Sequence, residues 1–146
     1  MKPPHVALAV FCSEARQNPD GTLTINHILD RLTVTAAAGP LPTIAPLVAV
    51  IALRCDAIAG AHQLALDVNA PDAGRRRLAA LPVDLSAEGD SIARILRIPL
   101  QIDRLGVYWF DVRWDERAVT RMRLTVRGDL AGPPQASDGT PSSSPV

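Results

Sequence analysis

The segment from Gly106 to Arg127 constrains the fold more than any other. Tyr108, Phe110, Val112 and Trp114 recur at every second residue, and Met122, Leu124 and Val126 do the same after the break at Asp115-Glu116-Arg117. A period of two puts each set on one side of a strand, so the segment reads as a β-hairpin with one strongly apolar face. Four of the five aromatic residues of the chain sit in its first arm. Such a face loses its burial free energy in water, so a second layer of structure has to cover it.

The rest of the chain supplies that layer from further strands. Val6 to Phe11 reads as a short strand, Asn18-Pro19-Asp20-Gly21 as a turn, and Leu23-Thr24-Ile25 as the return arm of a first hairpin. β-Branched residues carry that arm on to Val34, through a bulge near His27. Ala36 to Pro46 reads as a loop, because Pro40, Pro42 and Pro46 together exclude a helix interior and a central strand. Leu47 to Leu53 is apolar on both faces and is expected to be the most buried strand. His62 to Val68 alternates with Leu64, Leu66 and Val68 inward, and Arg75-Arg76-Arg77 forms a solvated basic spot in a loop. Leu78 to Leu85 is a short extended piece, since Pro82 interrupts a helix there. Leu96 to Asp103 alternates throughout, and Pro99, which cannot donate to a ladder, assigns it to a sheet edge or to an unpaired position.

About seven or eight short strands, separated by Gly and Pro turns and without helical periodicity, predict an all-β fold. The expected architecture is a single-domain antiparallel β-sandwich, immunoglobulin-like or related, over residues 1–128. Pro133, Pro134, Pro141 and Pro145 among Ser and Gly predict a disordered tail over residues 129–146.

Composition excludes more than it assigns. Lys plus Arg equals Asp plus Glu at 15 each, which gives no general attraction to nucleic acid. All basic residues except Lys2 are Arg, a usage that matches codon bias in a GC-rich bacterial genome. The apolar run after Lys2 ends at Glu14 and lacks a cleavage site, so it reads as a strand rather than a leader. No apolar run approaches the roughly 18 residues of a membrane span. Cys12 and Cys55 lie in apolar runs without CxxC spacing and are expected to be buried free thiols of a cytoplasmic protein.

His5, His27 and His62 have no metal-ligand spacing, and no Gly-rich oxyanion turn follows Cys12, so no metal, cofactor or nucleophile site is expected. Asp111, Asp115 and Glu116 read as solvated acids at a turn. The better candidate is a face. If the arms of the late hairpin pair, Trp109, Arg113, Arg121, Arg123 and Arg127 line the side opposite the apolar one. Arg beside an exposed aromatic is the composition of a binding surface for anions, single strands or a partner protein.

The turn Asn18-Pro19-Asp20-Gly21-Thr22 leading into Leu23-Thr24-Ile25, with the late Leu105-Gly106-Val107-Tyr108-Trp109-Phe110-Asp111-Val112 and Leu124-Thr125-Val126, resembles a bacterial family of small uncharacterised β-sandwich proteins. Thr22 stands where that pattern has a basic residue. The resemblance implies a sandwich without an assigned activity. The expectation for function is therefore a non-catalytic accessory or protein-interaction module, binding a protein partner or self-associating as a homodimer, with the first hairpin as the better edge for strand addition. The alternative is a small-ligand or carbohydrate binder in which Trp109 or Trp114 stacks on a small molecule at a sandwich end.

Overall fold

Two-residue alternation becomes nine strands in the computed structural model, which describes residues 3–35, 41–55, 58–71, 74–85 and 91–129. They are β1 (His5–Gln17), β2 (Leu23–Leu29), β3 (Arg31–Thr35), β4 (Thr43–Arg54), β5 (Gly60–Ala70), β6 (Gly74–Leu85), β7 (Ser91–Ile102), β8 (Gly106–Trp114) and β9 (Arg117–Asp129). One sheet has the order β2-β1-β4-β7 and the other β3-β9-β8-β5-β6. The all-β sandwich is borne out, with nine strands rather than seven or eight. All pairs are antiparallel except β3 with β9, which run parallel.

That exception follows from a bend after β2, and the bulge expected near His27 is absent, since the β1–β2 register runs through it without a shift. His27 takes φ 55, and after β2 the chain bends at Asp30 and enters the opposite sheet as β3. The extended run anticipated from Leu23 to Val34 is thus two strands in two sheets. Residues 36–40 and 130–146 lie outside the described residues, so the first part of the expected loop and most of the expected tail do as well; Thr43 to Pro46 belong to β4 and Asp129 to β9.

The core lies between the sheets. Tyr108, Phe110, Val112 and Trp114 of β8 and Met122, Leu124 and Val126 of β9 all point into it, as their spacing requires, and each is at most 5% exposed. Phe11 of β1 crosses from the other sheet to meet Phe110 edge-on, with ring centroids 4.7 Å apart. Burying side chains of this size contributes about 1.5–3 kcal/mol each. Tyr108 completes its burial by donating its hydroxyl to the carbonyl of Arg104, at 2.6 Å, across the turn that precedes β8.

Pro46 corrects the sequence reading. It sits inside β4, a central strand, and not in a loop, because it faces Pro99 of β7 directly. An antiparallel ladder alternates pairs that exchange two hydrogen bonds with pairs that exchange none, and two facing prolines fit the second kind without losing a donor. Pro46 therefore turns its missing N–H toward β1, and the β1–β4 ladder ends at Cys12 and Val48, just before it. Pro99 lies on an edge strand, as expected. Arg75 and Arg77 likewise belong to β6 and not to a loop.

Candidate binding face of the five-stranded sheet

Strand alternation sends the second set of side chains on β8 and β9 away from the core. Val107, Trp109, Asp111 and Arg113 of β8 stand on the outer face beside Arg121, Arg123, Thr125 and Arg127 of β9; Arg123 lies directly opposite Trp109, and Arg121 opposite Asp111. On one side β3 adds Arg31 and Thr33, and on the other β5 and β6 add Asp67, Asn69, Arg75 and Arg77. The anticipated Arg and Trp109 face exists, and it extends over all five strands.

Its centre is Asp67, which sequence reasoning missed. It is 3% exposed on the outer face of the middle of β5. Its Oδ1 accepts from Nε of Arg77 at 2.7 Å, and its Oδ2 from Nε of Arg113 at 3.0 Å, with Arg75 3.9 Å away. Burial pushes the Asp67 carboxyl up, but the hydrogen bonds and charges of Arg77 and Arg113 outweigh it and hold the group below its ordinary range. Arg77 forks onto both oxygens of Glu116 at 2.7 and 2.6 Å, and Arg113 donates to the Glu116 carbonyl at 2.8 Å. Glu116 is an exposed turn acid as expected, with its side chain 58% exposed, but one ion-paired to Arg77. The available signal was a single acid in the apolar run Leu64-Ala65-Leu66-Asp67-Val68, one short turn away from three Arg.

These bonds divide the expected cations. Arg113 is 16% exposed and committed to Asp67 and Glu116, so it is a structural residue of the face. Arg121 donates from Nε to Asp111 at 3.0 Å, and its guanidinium carbon lies 5.3 Å from the centre of the Trp109 ring. Arg123 and Arg127 are exposed, and the hydrogen bonds and ion pairs found among the described residues involve neither. Trp109 is 37% exposed and Val107 38%. The free part of the face is thus a small apolar strip, Val107 and Trp109, rimmed by two guanidinium groups.

Beside the β8–β9 turn, His62 presents both ring nitrogens to acceptors, Nδ1 to Oδ2 of Asp115 at 2.6 Å and Nε2 to the Ala59 carbonyl at 2.9 Å. Only the imidazolium can donate to both. The hydrogen bond that His62 donates to Asp115 raises the His62 pKa, against the opposing effect of burial. Asp115 and Glu116 occupy left-handed conformations, φ 49 and 66, in a two-residue turn that favours Asn-Gly, and their carboxylates are gripped by His62 and Arg77. His62 also stacks on Trp114, which is 2% exposed and so unavailable as a ligand platform.

The other sheet carries a groove of about 400 Å³, lined by Ile44, Pro46, Val48 and Pro99 with Ser13, Glu14 and Arg97 at its polar side. It opens where Pro46 ends the β1–β4 ladder. Arg97 bridges the gap by donating to Glu14 at 3.1 Å and to the Ala15 carbonyl at 2.9 Å. Ser13 donates its hydroxyl to the Asn26 carbonyl at 2.9 Å, so the His27 nitrogen 3.2 Å away meets an oxygen whose proton is already committed. Cys12 is buried and burial raises its pKa, which keeps the thiol protonated; Cys12 and Cys55 are both buried and outside any disulfide, as expected. No group of three or more His, Cys, Asp or Glu suited to a metal occurs among the described residues.

The model of a family described as "Family of unknown function (DUF6941)" matches residues 7–127. No curated protein matches the chain. Among solved structures, the chain is similar to the beta-glucosidase from Listeria innocua in complex with glucose, at 12% identity and a TM-score of 0.51 over 82% of this chain. The same enzyme without ligand gives 11% identity and a TM-score of 0.51 over 86% of this chain. The chain spans 16% of the length of that enzyme in either case, so the likeness concerns the sandwich fold alone.

Replacing Asp67 with Ala is expected to destabilise the fold by about 2–3 kcal/mol in urea unfolding, less than the loss for a fully buried pair because Arg77 can rehydrate. An unchanged midpoint would contradict the assigned role. The His62 contribution has a definite sign. Its pKa is raised on folding, so its stabilisation is complete below the unfolded value near 6.5 and is lost as pH rises through the folded value. Unfolding midpoints compared across that window are expected to fall with rising pH in the wild type, and to lose this component in His62→Gln; parallel profiles would refute it.

Proposed function

Since the chain belongs to the DUF6941 family, whose function is unknown, we propose from the geometry of its outer face that it is a non-catalytic protein-interaction module. The observation that carries this reading is the free strip of Val107 and Trp109 on β8, beside Arg123 and Arg127 of β9. Trp and Arg are the residues most enriched where a few contacts dominate binding energy, and here both stand on a rigid five-stranded sheet. Arg121 stacked against Trp109 holds the indole ready, which lowers the entropy lost on docking.

The charge of the face supports a reading of its partner's chemistry. Arg31, Arg75, Arg77, Arg113, Arg121, Arg123 and Arg127 stand against Asp67, Asp111 and Glu116, a local excess of positive charge. A second copy meeting the same face would bring like charge against like. An acidic protein segment carrying an apolar or aromatic side chain is the complement. Trp109 stands within the sheet rather than at a sandwich end, which favours a flat protein surface over a sugar or other small molecule.

A displayed random-peptide library selected on the protein tests this. Enrichment of Asp- and Glu-containing peptides with an apolar anchor is expected, with binding reduced about tenfold or more by Trp109→Ala together with Arg123→Glu. Selection without acidic enrichment, or peptides that bind the variant equally well, would sink the proposal.

A further inference from the structure

An edge strand offers its unpaired backbone groups to any passing strand, and proteins blunt such edges with charge, proline, bulges or short length. This sandwich has four edges, and three are blunted. β3 is five residues long. β2 is seven residues long and carries left-handed His27. β6 carries Arg75-Arg76-Arg77 directly after its first residue, contains Pro82, and shifts register against β5 between Leu66 and Asp67. β7 differs: each of its twelve residues has a partner in β4, in one register without a shift.

The facing prolines set which backbone groups of β7 are free. Pro46 and Pro99 fit a pair that exchanges no hydrogen bonds, so Pro99 turns its backbone outward, away from β4. With a period of two, Ser91, Ala93, Ile95 and Arg97 also point their N–H and C=O groups outward, and no described strand pairs with them. Over this stretch the edge has no proline and no bulge; the Ala93 carbonyl accepts from the Arg94 guanidinium at 3.0 Å and keeps a second lone pair for a partner strand. At Pro99 the edge closes, because the outward donor is missing there.

We propose that the free edge of β7 pairs antiparallel with β7 of a second copy of this chain, joining two four-stranded sheets into one of eight strands. The register follows from the sequence. With Ile95 on the two-fold axis, Ala93 faces Arg97, Arg94 faces Leu96 and Ile92 faces Ile98, so no two Arg oppose each other. Moving the axis to Arg94 sets that residue against its own copy, and moving it to Leu96 brings Pro99 opposite Ala93 and removes a donor from inside the ladder. In the Ile95 register Pro99 meets Ser91 at each end, where it terminates the ladder. The contact is isologous and the remaining edges are blunted, so assembly stops at the dimer. This interface is separate from the Trp109 face and does not depend on it.

Proline at position 93 provides the test, because the N–H it removes points at the partner and not at β4, as Pro99 already does. Light scattering behind size exclusion should give twice the chain mass of 15.6 kDa for the wild type at high micromolar concentration, and the monomer mass for Ala93→Pro with unchanged circular dichroism. A wild type that stays monomeric, or an Ala93→Pro dimer, overturns the proposal. Should Ala93→Pro not fold, residue-resolved hydrogen exchange of the wild type decides: protection of the Ala93, Ile95 and Arg97 amides that rises with protein concentration supports the pairing, and fast exchange at every concentration refutes it.

Discussion

The buried carboxylate of Asp67 is the constraint on which the outer face depends. A single charge on the middle of β5 would be expensive to bury alone, and it is tolerated because guanidinium groups arrive from the strands on both sides, Arg77 from β6 and Arg113 from β8. The same two Arg reach on to Glu116 in the β8–β9 turn. One buried anion thereby ties three neighbouring strands and a strained turn into a rigid plane. Arg123, Arg127 and Trp109 are displayed on that plane because the anions are already matched.

Two proline positions do comparable work in the other sheet, by subtraction. Pro46 opposite Pro99 leaves the β4–β7 ladder intact, ends the pairing of β1 with β4, and sets the phase of the free backbone groups on β7. The groove at Ser13 and Glu14 and the Arg97 bridge across it lie where that pairing ends the β1–β4 ladder, and Pro99 closes the β7 edge at the same level. The two faces of the sandwich thus have different characters: a charged plane with a small apolar strip, and an apolar sheet with a backbone edge.

Much of this was legible in the sequence, and for a physical reason. Alternation in Tyr108 to Trp114 and Met122 to Val126 fixes both which residues enter the core and which Arg must lie outside, because a strand has only two sides. What stayed hidden were pairings between distant strands. Pro46 reads as a loop breaker until Pro99 is placed opposite it. Arg113 reads as a free cation until Asp67, 46 residues earlier, is found beneath it. Asp115 and Glu116 read as solvated turn acids and are exposed, but their partners His62 and Arg77 come from other strands and could not be read. The crossing from β2 to β3 was hidden for a further reason: the chain bends at Asp30 without any break in its β-forming composition.

The central claim is that one Arg-rich face is divided into locked and free guanidinium groups. Solvent exchange of the individual Arg Nε–H protons, followed by nitrogen-edited NMR, reads that division directly, since Arg77, Arg113 and Arg121 each use Nε to reach a carboxylate. Slow exchange at these three and fast exchange at Arg123 and Arg127 is the predicted result. Uniformly fast exchange across all five would mean that Asp67 does not organise the face, and the account would fail.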